Sequence, residues 1–216
     1  MHFSSAYTRL QIASLERRGV AGRAYRATLT LNLAVEVNLD HLDNGRILQL
    51  VIDALNRHAG GQRTLRGQSC MVQWQYHAVD RAQVETGRAL GISLVHERIM
   101  TVPGRTTTGT PVDGMFVRSF PGGSRAVNRI LLIGELAAQL LRQPRAPAVA
   151  VRTRFTNSAA HEVGHSFDLH HRSGTLMDDT NDNRIDRRMD DEQLFQLLNT
   201  LLTDPFGQAA SVAAVH

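Results

Sequence analysis

Apolar and polar residues alternate from Thr28 to Leu39. Leu29, Leu31, Leu33, Val35, Val37 and Leu39 fall on one side, and Thr28, Thr30, Asn32, Ala34, Glu36 and Asn38 on the other. A period of two predicts a strand with one face on a core. Beyond a turn at His41 to Asn44 the period lengthens. Ile47, Leu50, Val51, Ala54 and Leu55 recur at helical spacing, and Leu48 and Ile52 widen the apolar face. Asp43 is a good N-cap for this helix and Gly60-Gly61 its stop. A face that wide predicts a helix lying across a sheet. Further strands are predicted over Cys70 to Val79, Leu90 to Val102, Val112 to Phe120 and Arg129 to Gly134, and a short helix over Glu135 to Arg142. At the amino terminus, Ser4 or Ser5 can cap a helix running to Arg18, with Gly19 ending it.

A second long helix is predicted to start between Arg152 and Ser158. Phe155, Ala159, Val163 and Phe167 repeat every four residues and form its core stripe. His161 and His165 are also one turn apart, offset from that stripe by two residues, or about 200° of turn. One face therefore goes to the core and the other to a cleft. Arg172 to Asp178 reads as a tight turn containing Met177, followed by a polar loop from Asp179 to Arg188. Asp190 or Asp191 caps a last helix over Glu192 to Leu202.

Composition narrows the options. The chain has 216 residues, 42% hydrophobic and 20% charged, which suits one compact domain or two small lobes sharing a cleft. The single cysteine, Cys70, excludes an intrachain disulfide framework and reads as a small buried hydrophobe. No apolar run reaches the roughly 18 residues needed to cross a bilayer, so no membrane span is expected. Met1 to Val20 has no apolar segment of the secretory kind, which predicts a protein that is cytoplasmic or exported by a non-classical route. Net charge is +4, and all 24 basic residues are arginine. They occur singly or in short pairs such as Arg17-Arg18 and Arg187-Arg188, not in a basic run interleaved with aromatics, and this argues against nucleic-acid binding.

The chemistry concentrates in His161-Glu162-Val163-Gly164-His165. Two imidazoles one turn apart on a helix can share a zinc ion, and the adjacent Glu162 can take a proton from a water that the ion activates. His170 and His171 follow as candidate third ligands. Glu192, the only downstream glutamate, lies in the first turn of a helix, where acidic residues are common for dipole reasons. Asp179 to Asn183 carries oxygen groups at calcium-loop offsets. Arg184 stands where such loops need glycine, so we read a solvated loop rather than a calcium site.

The segment 161–177 resembles the metzincin clan of zinc peptidases, whose motif H-E-x-x-H-x-x-G-x-x-H is followed by a methionine-containing turn. The resemblance implies a single catalytic zinc on His161, His165 and His171, with Glu162 as general base and Met177 beneath the metal. His170 falls one residue short of the family spacing. The implied fold is α+β: a twisted, mostly parallel five-stranded sheet with a backing helix and an active-site helix, then a small C-terminal subdomain with the Met-turn and a terminal helix. The corresponding division is a helical arm at 1–24, a catalytic subdomain at 25–170 and a C-terminal subdomain at 171–216. The implied activity is an endopeptidase acting on a protein or peptide substrate. That substrate would lie extended along an edge strand at Val112 to Phe120, against Gly114, Met115 and Phe116. A zinc hydrolase of non-protein or cell-wall peptide substrates, and a metal-stabilised binding domain without turnover, are the alternatives. Two departures stand out. The family glycine is Asp168 here, a residue that could instead contact a ligand histidine, and no tyrosine follows the Met-turn.

Overall fold

The computed structural model describes residues 7–15, 24–97, 101–102, 110–121, 126–142, 149–178 and 186–203. The calcium-like stretch 179–185, the proposed caps Ser4 and Ser5, and the tail beyond 203 lie outside them.

The alternating stretch forms the long strand β2 (Ala24–Asn38), which follows β1 (Thr8–Leu15). Helix α1 (Asn44–Ala59) begins where the Asp43 carboxylate accepts the Arg46 N–H at 2.8 Å. Next come β3 (Gly61–Leu65), β4 (Gln68–Ala78), the short helix α2 (Ala82–Glu85) and β5 (Leu90–Val95). Two-residue strands β6 (Thr101–Val102) and β7 (Thr110–Pro111) pair with each other. The chain continues through β8 (Gly114–Ser119), β9 (Val127–Ile133), α3 (Gly134–Arg142), α4 (Val149–Ser166) and α5 (Asp191–Thr203).

The main sheet has seven strands in the order β3-β4-β2-β5-β9-β8, with β1 also paired to β2. This corrects the expected mostly parallel five-stranded, metzincin-like sheet. The pairs β2–β4, β2–β5 and β5–β9 are parallel, whereas β1–β2, β3–β4 and β8–β9 are antiparallel. Two of the three antiparallel pairs are made by strands the sequence pattern did not indicate, β1 and β3, and the third joins two strands that it did, β8 and β9. Residues expected as a helical arm instead form β1, where Leu10 is buried while Arg9 and Gln11 are exposed. A two-residue turn at Arg66-Gly67, with φ of 50° and 76°, folds β3 back on β4. Positive φ at both central residues matches the twist of a tight hairpin.

Helices α1 and α4 cover one face of the sheet, and their apolar stripes meet there. Ile47, Val51 and Leu55 of α1 share a core with Leu29, Leu31 and Leu33 of β2 and with Phe155, Ala159 and Val163 of α4. Each of these residues is at most 1% exposed, so the core face expected for α4 is correct. Phe167, just past α4, lies between Tyr7 and Trp74, with ring centroids 6.1 and 6.0 Å away. The Tyr7 hydroxyl donates to the Ser166 carbonyl at 2.6 Å. The carboxyl end of α4 is thus gripped where the chain must leave the helix. Segment 186–190 is laced to α1 and β3: Met189 N–H donates to the His58 carbonyl at the end of α1, and Arg63 of β3 donates to the Met189 carbonyl. The Asp190 carboxylate then caps α5 by accepting the Gln193 N–H at 2.7 Å. No helix among the described residues is long and apolar enough to cross a membrane.

Candidate metal centre

His161 and His165 project from the face of α4 opposite its core stripe, as the spacing requires. The turn after α4 then brings His171 to them. Asp168 N–H donates to the His165 carbonyl, and Leu169 N–H reaches back to the Gly164 carbonyl at 3.2 Å. Those two bonds, with Asp168 at φ 59°, make a Schellman helix end. The position usually held by glycine is therefore occupied, in left-handed geometry, by the aspartate. The Asp168 carboxylate pairs with Arg118 of β8 at 2.9 Å.

The result is a convergence of three imidazoles. The His165 Nε2 atom lies 2.9 Å from that of His161 and 3.0 Å from that of His171. His170 is exposed and takes no part. The protons are placed by the other ring nitrogens. His161 Nδ1 donates to the Leu176 carbonyl at 2.8 Å, and His165 Nδ1 to the Leu169 carbonyl at 2.9 Å. A carbonyl can only accept, so in the neutral rings both Nε2 atoms are bare lone pairs facing each other. Such an arrangement repels unless a cation lies between them, and backbone carbonyls behind the rings are the usual support of metal-binding histidines. Zinc–nitrogen bonds of about 2.0–2.1 Å at a tetrahedral angle would set the nitrogens about 3.3 Å apart. The site needs to open only slightly to fit the ion.

Met177 is fully buried, at 0% exposure. Its carbonyl accepts the Arg172 N–H, and its own N–H donates to the Thr175 hydroxyl. Gly164 makes room for it, since a Cβ there would lie 2.5 Å from the Met177 sulfur. Gly164 and the Leu176 carbonyl are parts of the centre that sequence reasoning missed. The glycine inside H-E-x-x-H was the available signal; a backbone carbonyl leaves none.

Glu162 is 8% exposed and faces β8. A Cβ on Gly114 would lie 2.8 Å from its Cγ, so only glycine lets the strand approach this closely. Burial pushes the Glu162 carboxyl up to about 8, against the opposing hydrogen bond from the Phe116 N–H. Burial also holds His165 down to about 4, helped by the neighbouring His161. Of the expected edge-strand residues, Gly114 and Phe116 meet Glu162, while Met115 packs half-buried against the core. β8 does lie at the sheet edge, bonded only to β9 among the described strands. Its start is pinned to α4 by an ion pair between Asp113 and Arg154, which also reaches Glu97 at 3.2 Å. Away from the centre, Glu192 bonds Arg66, and His96 bonds Glu135 at 2.8 Å.

No family model matches the chain, and no curated protein matches it. Among solved structures, a chain from the GM1-bound form of the ECX AB5 holotoxin is similar at 12% identity, over 80% of this chain and 79% of that one. Its TM-score of 0.38 is too loose a likeness to fix fold or function.

Proposed function

We propose that this chain is a zinc-dependent endopeptidase whose catalytic motif is of the metzincin type. The observation that carries the reading is the convergence of the His161, His165 and His171 Nε2 atoms, with Glu162 next to His161 on the same helix. A zinc ion held there would act as a Lewis acid on the scissile carbonyl and lower the pKa of a water.

The chain's own residues supply the rest. Glu162 takes a proton from the attacking water and returns it to the leaving amine. Its burial favours the protonated form, which suits the second of those transfers. An extended peptide adds to the free edge of β8, with backbone bonding along Gly114 to Phe116. The Glu162 carboxylate accepts the Phe116 N–H, and its remaining lone pairs are left to take the proton of the water. None of the three tyrosines follows Met177 in the chain. Tyr7 is buried on the Ser166 carbonyl, and Tyr76 bonds the Gly45 carbonyl.

The test is metal content and cleavage of an unfolded protein, for wild type and Glu162→Ala. Both are expected to hold a single zinc, and only wild type to cleave. Cleavage that survives the substitution overturns the mechanism. Wild type that takes up no zinc overturns the reading itself.

A further inference from the structure

We propose that Arg118 is a positioning residue for the third zinc ligand, acting through Asp168 on the turn that presents His171. This rests on the metal reading above and concerns the departure from the family glycine at position 168.

Three observations on this chain lead there. Asp168 holds a left-handed φ of 59°, a conformation that a residue with a side chain reaches only at some cost. It does so at the junction of the centre. Its N–H bonds the His165 carbonyl, the next residue's carbonyl takes the His165 Nδ1 proton, and His171 follows three residues later. Its carboxylate is held by Arg118 Nη1 at 2.9 Å.

Arg118 is itself fixed before it reaches Asp168. Its Nε donates to the Asn128 side-chain oxygen at 3.0 Å, and Asn128 is 3% exposed on β9. Its guanidinium also sits 5.2 Å from the centre of the Phe116 ring. An arginine anchored at two points behaves less like a mobile surface cation than like a bracket projecting from the sheet. Glycine at 168 would reach the same turn without strain, but it would offer the bracket nothing to hold. The aspartate accepts strain and gains a fixed attachment, and so the angle at which His171 meets the other two rings is set by the sheet rather than by the turn alone.

Two simpler accounts predict different results. If the pair is ordinary surface decoration, with side chains 23% and 40% exposed, its loss does nothing to zinc. If Arg118 acts only through its charge, removing a cation near the site tightens zinc binding. Positioning predicts weaker binding. Removal of a group that orients a metal ligand typically costs about 10-fold to 100-fold in affinity.

The experiment uses the full chain and compares wild type with Arg118→Gln, Asp168→Asn and Asp168→Gly. Zinc affinity is read by competition with a chelating dye, and coordination by the visible spectrum of the cobalt-substituted protein. We expect Arg118→Gln and Asp168→Asn each to weaken zinc by about 10-fold or more. Their cobalt spectra should move toward that of His171→Ala, and the double variant should be no worse than either single one. Asp168→Gly is expected to weaken zinc less, because it loses the attachment but relieves the strain. Unchanged or tighter zinc in Arg118→Gln overturns the proposal. So does Asp168→Gly with wild-type affinity, which decides the matter even if Arg118→Gln fails to fold. Wild type that binds no zinc overturns the endopeptidase reading; zinc-loaded wild type with unaffected variants overturns only this one.

Discussion

His58 is fully buried at the end of α1, and both its ring nitrogens are engaged. Nδ1 donates to the Arg187 carbonyl, and Nε2 accepts from the Thr156 hydroxyl at 2.9 Å. Burial lowers its pKa below 6.5, with the Arg187 carbonyl and Asp186 opposing. The folded state therefore prefers the neutral ring, while the unfolded chain titrates near 6.5. Stability contributed by this preference is present above pH 6.5 and is lost as pH falls below it. In chelator, urea denaturation of wild type should show stability falling between pH 6.5 and 5. Its slope should exceed that of His58→Gln by at most about 1.4 kcal/mol per pH unit, the limit for one proton. At pH 8 the same substitution should cost about 1–3 kcal/mol, from the buried partners it leaves unpaired. Equal slopes would remove His58 from the account. None of this was legible in the sequence, because His58 has no spacing partner and its bonds are to a backbone carbonyl and a hydroxyl distant in the chain. His161 and His165 were legible because one helix turn places both on the same face.

At the scale of elements, what the sequence revealed depended on whether an element carries its own signal. β2, α1 and α4 have long periodic faces, so local pattern and tertiary burial agree. β1 was misread because its residues include good helix formers, and pairing to β2 outweighs that preference. β3 was missed because Gly60-Gly61 reads as a helix stop, and Arg66-Gly67 is a less familiar hairpin turn than Asn-Gly. β8 was found but its closeness to α4 was not, since the approach of a strand to a helix has no period. That closeness can be tested at Gly114. A methyl group added there must displace Glu162, whose Cγ would be 2.8 Å away. Gly114→Ala is expected to retain zinc, because no ligand moves, while kcat/KM falls by about 100-fold, as misplacement of a reacting group by an ångström does. Metal analysis and peptide cleavage on one preparation check both halves. Undiminished cleavage would mean that Glu162 does not need its present position.

Across the whole molecule, segments remote in sequence meet at the carboxyl end of α4, and this is what turns a helix bearing two histidines into a centre with three. Tyr7 comes from the residue just before β1 and Trp74 from β4, and both rings pack against Phe167. From the other direction, segment 186–190 ties the turn at Leu176-Met177 to α1, through Leu176 N–H on the Arg188 carbonyl and Met189 N–H on the His58 carbonyl. The mixed sheet matters here, because antiparallel β1 is what delivers Tyr7 to Ser166. If this grip supports the centre, weakening it should be felt at the metal as well as in the fold. Tyr7→Phe keeps the ring against Phe167 but removes the donor to the buried Ser166 carbonyl. It is expected to lower stability by about 1–3 kcal/mol in urea denaturation. Zinc release to excess chelator should also be faster than in wild type, since the turn carrying Leu169 and His171 begins at that carbonyl. A variant destabilised to the same extent in the apolar cluster separate from that of α4, such as Val84→Ala, should release zinc at the wild-type rate. Equal acceleration in both would mean that zinc retention follows global stability, and that the amino-terminal strand serves the fold alone.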